Sequence, residues 1–428
     1  MPESFFEIEH CPGDSWAEKV VNYRTSPRQQ HRRDKVRGSL IGGAAGDALG
    51  YTVEFMGLHD IRQRFGKRGI TAYEPNIKGY GVFSDDTQMT LFTAEGLLSG
   101  QTKASLEGKA GQPYTYVASA YDDWYATQIG LQKIRGSGEA GTHQFTWLYN
   151  VPELHARRAP GMTCMKALEA SHRSYAKGGR FIDAASNNSK GCGGVMRVAP
   201  VGLLNTFGDN PGLVIEEGAA IAAITHGHPL GQWPAAVLAE LVRHIVYDEY
   251  DRSYALKEAV LNTVQRVREQ LRSPRYWTEL ERLLTMAVEL AGNRETDEKN
   301  IRKLGEGWVA EEALAIAVYC AVRYADSFSD GIIAAVNHDG DSDSTGAIAG
   351  NILGAWLGIS GIERKWQDNL ELKEVILEIA DDLCDGCAMG EMIDYDDRQW
   401  TDKYVFCTYP FTKLDSSKDF FDGLFDEK

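Results

Sequence analysis

The sequence predicts an all-α protein, and three observations carry that prediction. Apolar residues recur at intervals of three and four along most of the chain, strand-like alternation is sparse, and glycines repeat every fourth residue in two distant segments. A 3.6-residue period stacks positions i, i+3 and i+4 on one face, so such runs read as helices with one side buried. They cover 86–98, 211–225, 233–247, 253–271, 277–291, 310–325 and 371–384. The best strand signal, GIIAAV at 331–336, is explained equally well by helix. The glycine-rich stretch at 131–142 and the charge-dense stretch at 292–307 are expected as loops.

Residues 1–36 differ in character from the rest of the chain. An acidic, aromatic start, MPESFFEIEH, gives way to a basic stretch with Arg24, Arg28, Arg32, Arg33, Lys35 and Arg37. The segment is expected as an extension, either a solvated tail or a partner-binding arm. Residues 37–412 form the main domain, and 413–428 an acidic C-terminal tail.

Glycines at 38, 42, 46 and 50, and again at 346, 350, 354 and 358, would each lie along one bare face of a helix. A glycine inside a helix costs about 1 kcal/mol relative to alanine, so four in register are expected only where close packing offsets the loss. Both stripes are therefore expected in central helices, although each need not face the other, and a loop reading of 38–50 competes. Asp47 and Glu54 flank the first stripe; Asp339, Asp341 and Asp343 precede the second. Carboxylates far apart in sequence are thus expected to share one cavity.

Composition narrows the classes of function. The chain has 428 residues, 43% hydrophobic and 25% charged, as in soluble globular proteins. Its 45 basic and 61 acidic residues leave a net charge of -16, which repels nucleic acid and anionic membrane surfaces. Seven scattered cysteines make no disulfide framework and suit a reducing compartment. The N-terminus lacks the apolar core of a secretory signal, so a cytoplasmic location is expected. The uncharged segment Ser344–Ile362 is too rich in glycine and hydroxyls for a membrane span and is expected as a buried helix.

Two acidic clusters carry the chemistry. In SDDT at 84–87, Ser84 is placed to cap a helix with Asp85 and Asp86 in its first turn, and the same atoms are a compact set of hard oxygen ligands. In DGDSDST at 339–345, three alternating carboxylates need either full solvation or a cation, and the apolar run after them argues against solvation. An EF-hand is excluded because its sixth and twelfth positions fall on Ser344 and Gly350. An aspartyl-phosphate phosphatase with Asp341 as nucleophile remains a rival, but needs a preceding strand in an α/β domain. CDGC at 384–387 has no second cysteine pair and is expected at a helix end rather than on zinc. GCGGVMR at 191–197 is a flexible turn or a phosphate-wrapping loop with Arg197 nearby, and the THGHP histidines at 225–229 cap a helix or meet a metal or substrate.

Taken together, GSLIGGAAGDALGYTVEF at 38–55, SDDTQMT at 84–90, RAPGMTC at 158–164, GCGGVMRVAPVGL at 191–203, THGHP and HDGDSDSTGAIAGNILGA at 338–355 resemble the ADP-ribosylglycohydrolase family. The resemblance implies a compact, orthogonal multi-helix fold with a central cleft for two Mg2+ or Mn2+ ions. Carried over residue by residue, the metal ligands fall on Ser84, Asp85 and Asp86 and on Asp341, Asp343 and Ser344, where the family often has threonine in place of Ser344. Glu54 matches the family's glutamate near the metals, and Glu54 or Asp85 would take a proton from water. Gly191, Gly193, Gly194 and Met196 match the loop for the diphosphate and distal ribose, and His226 a histidine near substrate. The implied activity is removal of mono-ADP-ribose from arginine side chains of a modified protein, with serine-linked ADP-ribose and nitrogenase regulation as alternatives. The chain also resembles immunity hydrolases that neutralise an ADP-ribosyltransferase toxin through an N-terminal extension, here residues 1–36. A pure binding inhibitor acting through that arm is the non-enzymatic rival.

Overall fold

The computed structural model describes residues 14–74, 81–136, 141–175, 185–248, 255–271 and 276–409. Among them the regular structure is helical, with three isolated bridges and no strand, as expected. The first helices are α1 (Trp16–Thr25), α2 (Pro27–Tyr51), α3 (Leu58–Phe65), α4 (Asp85–Glu107), α5 (Pro113–Ile129), α6 (Met162–Tyr175), α7 (Ala199–Leu203), α8 (Pro211–Ala223) and α9 (Pro229–Tyr247). Then come α10 (Leu256–Gln270), α11 (Trp277–Ala291), α12 (Asp297–Leu304), α13 (Ala310–Arg323), α14 (Phe328–Val336), α15 (Ser342–Leu357), α16 (Arg364–Gln367), α17 (Lys373–Asp385) and α18 (Arg398–Tyr404).

All seven periodic runs lie largely in helices, and GIIAAV forms the end of α14. The stretch at 292–307 departs from expectation, because it contains α12. That helix buries Ile301 and Leu304, and it carries Asp297 and Glu298 in its first turn and Arg302 and Lys303 in its last. Those charges complement the helix dipole, so charge density there marks a short amphipathic helix rather than a loop.

The two glycine stripes face each other. A Cβ on Gly38 would stand 2.2 Å from the Gly354 carbonyl oxygen, one on Gly42 2.3 Å from that of Gly350, and one on Gly46 1.9 Å from that of Gly346. As the number rises along α2 it falls along α15, so the two helices are antiparallel with backbone against backbone. The Ser39 hydroxyl donates to the Asn351 carbonyl across the seam (3.0 Å). The loop reading of 38–50 is thereby overturned, and α15 is the buried helix expected. No helix among the described residues is long and apolar enough to cross a membrane.

This register positions the site. It brings the C-terminal end of α2, with Asp47, to the N-terminal end of α15, with Asp343.

Residues 14–36 pack on the body. Helix α1 buries Val20 and Tyr23 beside Ala388, and α2 runs unbroken through the boundary expected at residue 37. Arg24 and Arg33 pair with Asp385 of α17, and Arg37 with Asp381. Much of the basic stretch is thus committed within the chain. Residues 1–13 and the tail at 413–428 lie outside the described residues.

Two sequence readings change here. Arg197 is fully buried, stacked on Tyr121 and donating to the Ile221 carbonyl and the Thr225 hydroxyl, so it braces the core instead of reaching a ligand on the glycine turn. The phosphatase reading loses its premise, since the element before Asp341 is α14 and no strand is present among the described residues. CDGC closes α17 as expected, with the Gln29 amide donating to Cys384 Sγ (3.2 Å).

Candidate active site

Asp47 ties two helices together. Its Oδ1 accepts the Ser84 N–H (2.8 Å), and its Oδ2 accepts the Thr87 N–H (2.9 Å) and the Thr87 hydroxyl (2.5 Å). A fully buried carboxylate at the end of α2 therefore satisfies donors at the start of α4 that have no partner inside that helix. Ser84 caps α4 by accepting the Asp86 N–H (3.2 Å), which leaves Asp85 and Asp86 in the first turn, facing inward and buried.

Arg158 fastens the same corner from another side. It donates to the Phe83 carbonyl (2.8 Å) and forms a two-pronged pair with Glu371. Its own carbonyl accepts the Asp85 N–H (3.2 Å), and the Gly161 N–H reaches Asp85 Oδ2 (3.2 Å). The RAPG stretch thus acts as a clip on the acidic turn.

The second cluster opens α15. Asp341 is its N-cap, and both Asp341 Oδ1 (3.3 Å) and Asp343 Oδ1 (2.9 Å) accept the Ser344 N–H. The Cys192 thiol donates to Asp341 Oδ2 (2.8 Å), linking this cluster to the glycine turn. The Ser344 hydroxyl faces Met196 Sδ (4.0 Å). Behind the cap, burial pushes His338 down to about 4, and this neutral ring bonds the Thr345 hydroxyl (2.9 Å). Asp339 turns away, accepting the Leu58 N–H (2.7 Å) and pairing with Arg302.

The acids act on one another. Burial, then repulsion from Asp343, lifts Asp47 to about 7, Glu54 to about 10, and Asp85, Asp86 and Asp341 well above the usual carboxylate range. Glu54 Oε2 and Asp86 Oδ2 are buried without a hydrogen-bond partner. Unpaired buried carboxylate oxygens are costly, and the charges pressing on them are other carboxylates. A cation removes both penalties. Ser84, Asp85, Asp86, Asp341, Asp343 and Ser344 are all buried here and present the hard oxygens that Mg2+ or Mn2+ prefers. Among the described residues no three carboxylate, imidazole or thiol groups are arranged to hold a metal ion as they stand, and the expected set draws on hydroxyls as well.

The glycine turn stands beside the second cluster. Gly191 bridges to Val309, and Cys192–Gly194 forms a tight helical turn. A Cβ on Gly193 would meet the His226 ring at 3.1 Å, so a bare Cα lets the turn lie against that ring. Gly194 instead packs on the Gly231 carbonyl and Ala222, which gives it a packing reason of its own. Burial and Arg197 push His226 down to about 3, so its ring is neutral. Arg197 donates to the Thr225 hydroxyl (2.7 Å), which can then donate to His226 Nδ1 (2.8 Å). The remaining hydrogen sits on His226 Nε2, next to Gly191 and Gly193.

Comparison with known proteins gives the family. The ADP-ribosylglycohydrolase family model matches residues 28–391. The chain belongs to the ADP-ribosylglycohydrolase family. It is 26% identical over 341 residues to the ADP-ribosyl-[dinitrogen reductase] glycohydrolase of Rhodospirillum rubrum, covering 79% of this chain and 91% of that one. It is 24% identical over 361 residues to the ADP-ribosylarginine hydrolase Tri1 of Pseudomonas putida, covering 84% and 81%. A solved chain titled an ADP-ribosylglycohydrolase-related protein complex superposes with a TM-score of 0.56 at 25% identity, covering 83% of this chain and 98% of that one. This ADP-ribosylglycohydrolase is therefore a hydrolase of the all-α family that its motifs suggest.

Within it, the six expected ligand residues and Glu54 gather in one buried region, and Gly191, Gly193, Met196 and His226 line up beside it. Three supports were not legible as such in sequence: the tether at Asp47, the Arg158–Glu371 clip and the Cys192 thiol. Asp47 carried a signal as the acid beside a glycine stripe, and Arg158 and Cys192 lay inside quoted motifs, but Glu371 had none.

Proposed function

We propose that this ADP-ribosylglycohydrolase uses two Mg2+ or Mn2+ ions to remove mono-ADP-ribose from arginine side chains of a modified protein. The observation that carries the reading is the buried acid set with orphaned oxygens on Glu54 and Asp86, beside a glycine turn and a neutral histidine. Ser84, Asp85, Asp86, Asp341, Asp343 and Ser344 would hold the ions. When bound, these supply positive charge that holds ribose hydroxyls and acidifies water.

The chain's own groups do the rest. Glu54 or Asp85, ionised once cations balance the crowded acids, accepts a proton from the attacking water. Water oxygen bonds to the anomeric carbon as the C–N bond breaks, the guanidine departs with the bonding pair and takes up the proton removed from water, and the surrounding carboxylates stabilise the positive charge that develops on the sugar. Backbone N–H groups of Gly193 and Gly194 and the Nε2–H of His226 donate to the diphosphate or distal ribose, with Met196 packed against them, while the Gly191 and Cys192 N–H groups hold the turn through Ser189 Oγ and the Trp308 carbonyl. A protein of charge -16 needs such local donors to attract a diphosphate.

The arginine linkage is favoured by likeness to Tri1, whose name gives that substrate, and the dinitrogen reductase glycohydrolase keeps nitrogenase regulation as an alternative. An immunity role, with the N-terminal segment engaging a toxin, is a further part of the proposal. Because α2 spans residue 36, the informative truncation removes residues 1–13.

Incubation with arginine-linked and serine-linked ADP-ribosyl peptides, with and without a chelator, tests the activity. Release of ADP-ribose from the arginine-linked peptide alone, abolished by the chelator, is expected. Release from the serine-linked peptide alone, or release untouched by chelator, contradicts the proposal.

A further inference from the structure

Two aromatic rings stand exposed at the edge of the acid site. Phe55 directly follows Glu54 and is 76% exposed; Trp308 follows Gly307 and is 41% exposed. Their planes lie within 17° of parallel, with centroids 6.4 Å apart. That spacing is at the wide end for rings in mutual contact, about 4.5–7 Å. The centroid distance is an upper limit on the gap between the planes, so a flat guest, which needs roughly 7 Å at ~3.5 Å per contact, enters as these two exposed rings part slightly.

Each ring is anchored to a part of the site. Phe55 comes from the turn after α2 that also carries Glu54. Gly307 lies against α15, since a Cβ there would meet Thr345 Cγ2 at 2.9 Å and Asp341 Cβ at 3.5 Å. The Trp308 carbonyl accepts the Cys192 N–H (3.3 Å), so the backbone that carries the indole is tied to the glycine turn as well. Trp308 also lines a cavity of about 580 Å³ whose wall includes Glu298, Glu306, Glu312 and Asp339 against Arg302. Next to two carboxylate clusters and an acidic wall, the group that suits the space between the rings is flat and positively charged.

We infer that Phe55 and Trp308 form a clamp for the guanidinium of the modified arginine, holding the leaving group between two aromatic faces while ADP-ribose occupies the acid site. This rests on the proposed arginine-directed hydrolysis and names the element that selects it. A guanidinium is planar, keeps its charge when one nitrogen carries ribose, and is attracted by ring faces. A serine-linked substrate has no planar cation there and gains nothing from the pair.

The test uses the full chain loaded with Mn2+, an arginine-linked and a serine-linked ADP-ribosyl peptide, and free ADP-ribose as a probe that lacks the guanidinium. Phe55→Ala and Trp308→Ala are each expected to lower kcat/KM on the arginine-linked peptide by ~10-fold or more, mainly through KM, while the Kd for ADP-ribose stays within about twofold. Trp308→Phe, which keeps a ring face, is expected to recover most of the loss.

Unchanged kinetics in both alanine variants, with a wild type that cleaves the arginine-linked peptide, overturns the clamp alone. Equal loss of ADP-ribose affinity also overturns it, since the rings would then serve the nucleotide or the fold. A wild type that binds no ADP-ribose, or cleaves only the serine-linked peptide, overturns the proposed function and the clamp with it.

Discussion

Gly46 and Gly346 are so close that a methyl group on either would overlap the other's carbonyl oxygen, at 1.9 and 2.4 Å. This contact is the innermost of the three that lock α2 to α15, and it lies one residue from Asp47. The α2–α15 seam and the acid site are therefore one structure. Shifting the seam moves Asp47 relative to Asp343.

Gly46→Ala is expected to destabilise the protein by about 3 kcal/mol or more, the upper end for overpacking, because the obstacle is backbone on both sides. Gly212→Ala in α8 is a control: its Cβ would meet nothing nearer than the Gln270 side chain at 3.4 Å, and it should be neutral or slightly stabilising. Denaturant titration of the two variants checks the contrast. Equal stability would mean that the seam tolerates a methyl.

Asp47→Asn replaces an acceptor by an amide that cannot serve the Ser84 and Thr87 N–H groups together with the Thr87 hydroxyl. The start of α4 should loosen, and Mn2+ affinity should fall roughly 10–100-fold, as when groups supporting metal ligands are removed. Calorimetric titration with Mn2+ reads this directly. Unaltered affinity would show that the tether does not position the ligands.

Glu217 gives a pH prediction away from the acid site. Burial lifts its carboxyl from 4.5 to about 7, while the Tyr114 N–H (2.9 Å) pulls the other way and Glu216 adds to the rise. Between those values the folded chain holds a proton that the unfolded chain has released. The stability it contributes is therefore full below about 4.5 and lost as pH rises through about 7. Glu217→Gln keeps an acceptor for Tyr114 and has no such dependence. Relative to wild type, the variant should gain roughly 2–4 kcal/mol between pH 4.5 and 8. Parallel stability curves across that range would contradict the assignment.

Much of the fold was legible because helical period and glycine spacing are local signals. The stripes at 38–50 and 346–358 announce close packing, since no other gain offsets so many helical glycines. That they face each other is a property of register, which neither segment states alone. The acid site was legible for a related reason: carboxylates beside apolar runs cannot be solvated, whichever residues surround them. What the sequence could not show depends on direction. Arg197 follows a glycine turn yet points into the core, and Asp339 belongs to the DGDSDST run yet turns to α3 and Arg302. The α12 segment was hidden because its charges sit at both ends of a short helix, a pattern that resembles a polar loop when read by composition.

The central claim is that the acids at the starts of α4 and α15 together hold two divalent cations. Crystals grown with a manganese salt and measured for anomalous scattering test it most directly. The account predicts two strong peaks flanked by Asp86 and Asp343, both lost in Asp343→Asn. Maps without a peak beside these residues, at manganese concentrations that support hydrolysis, would contradict it.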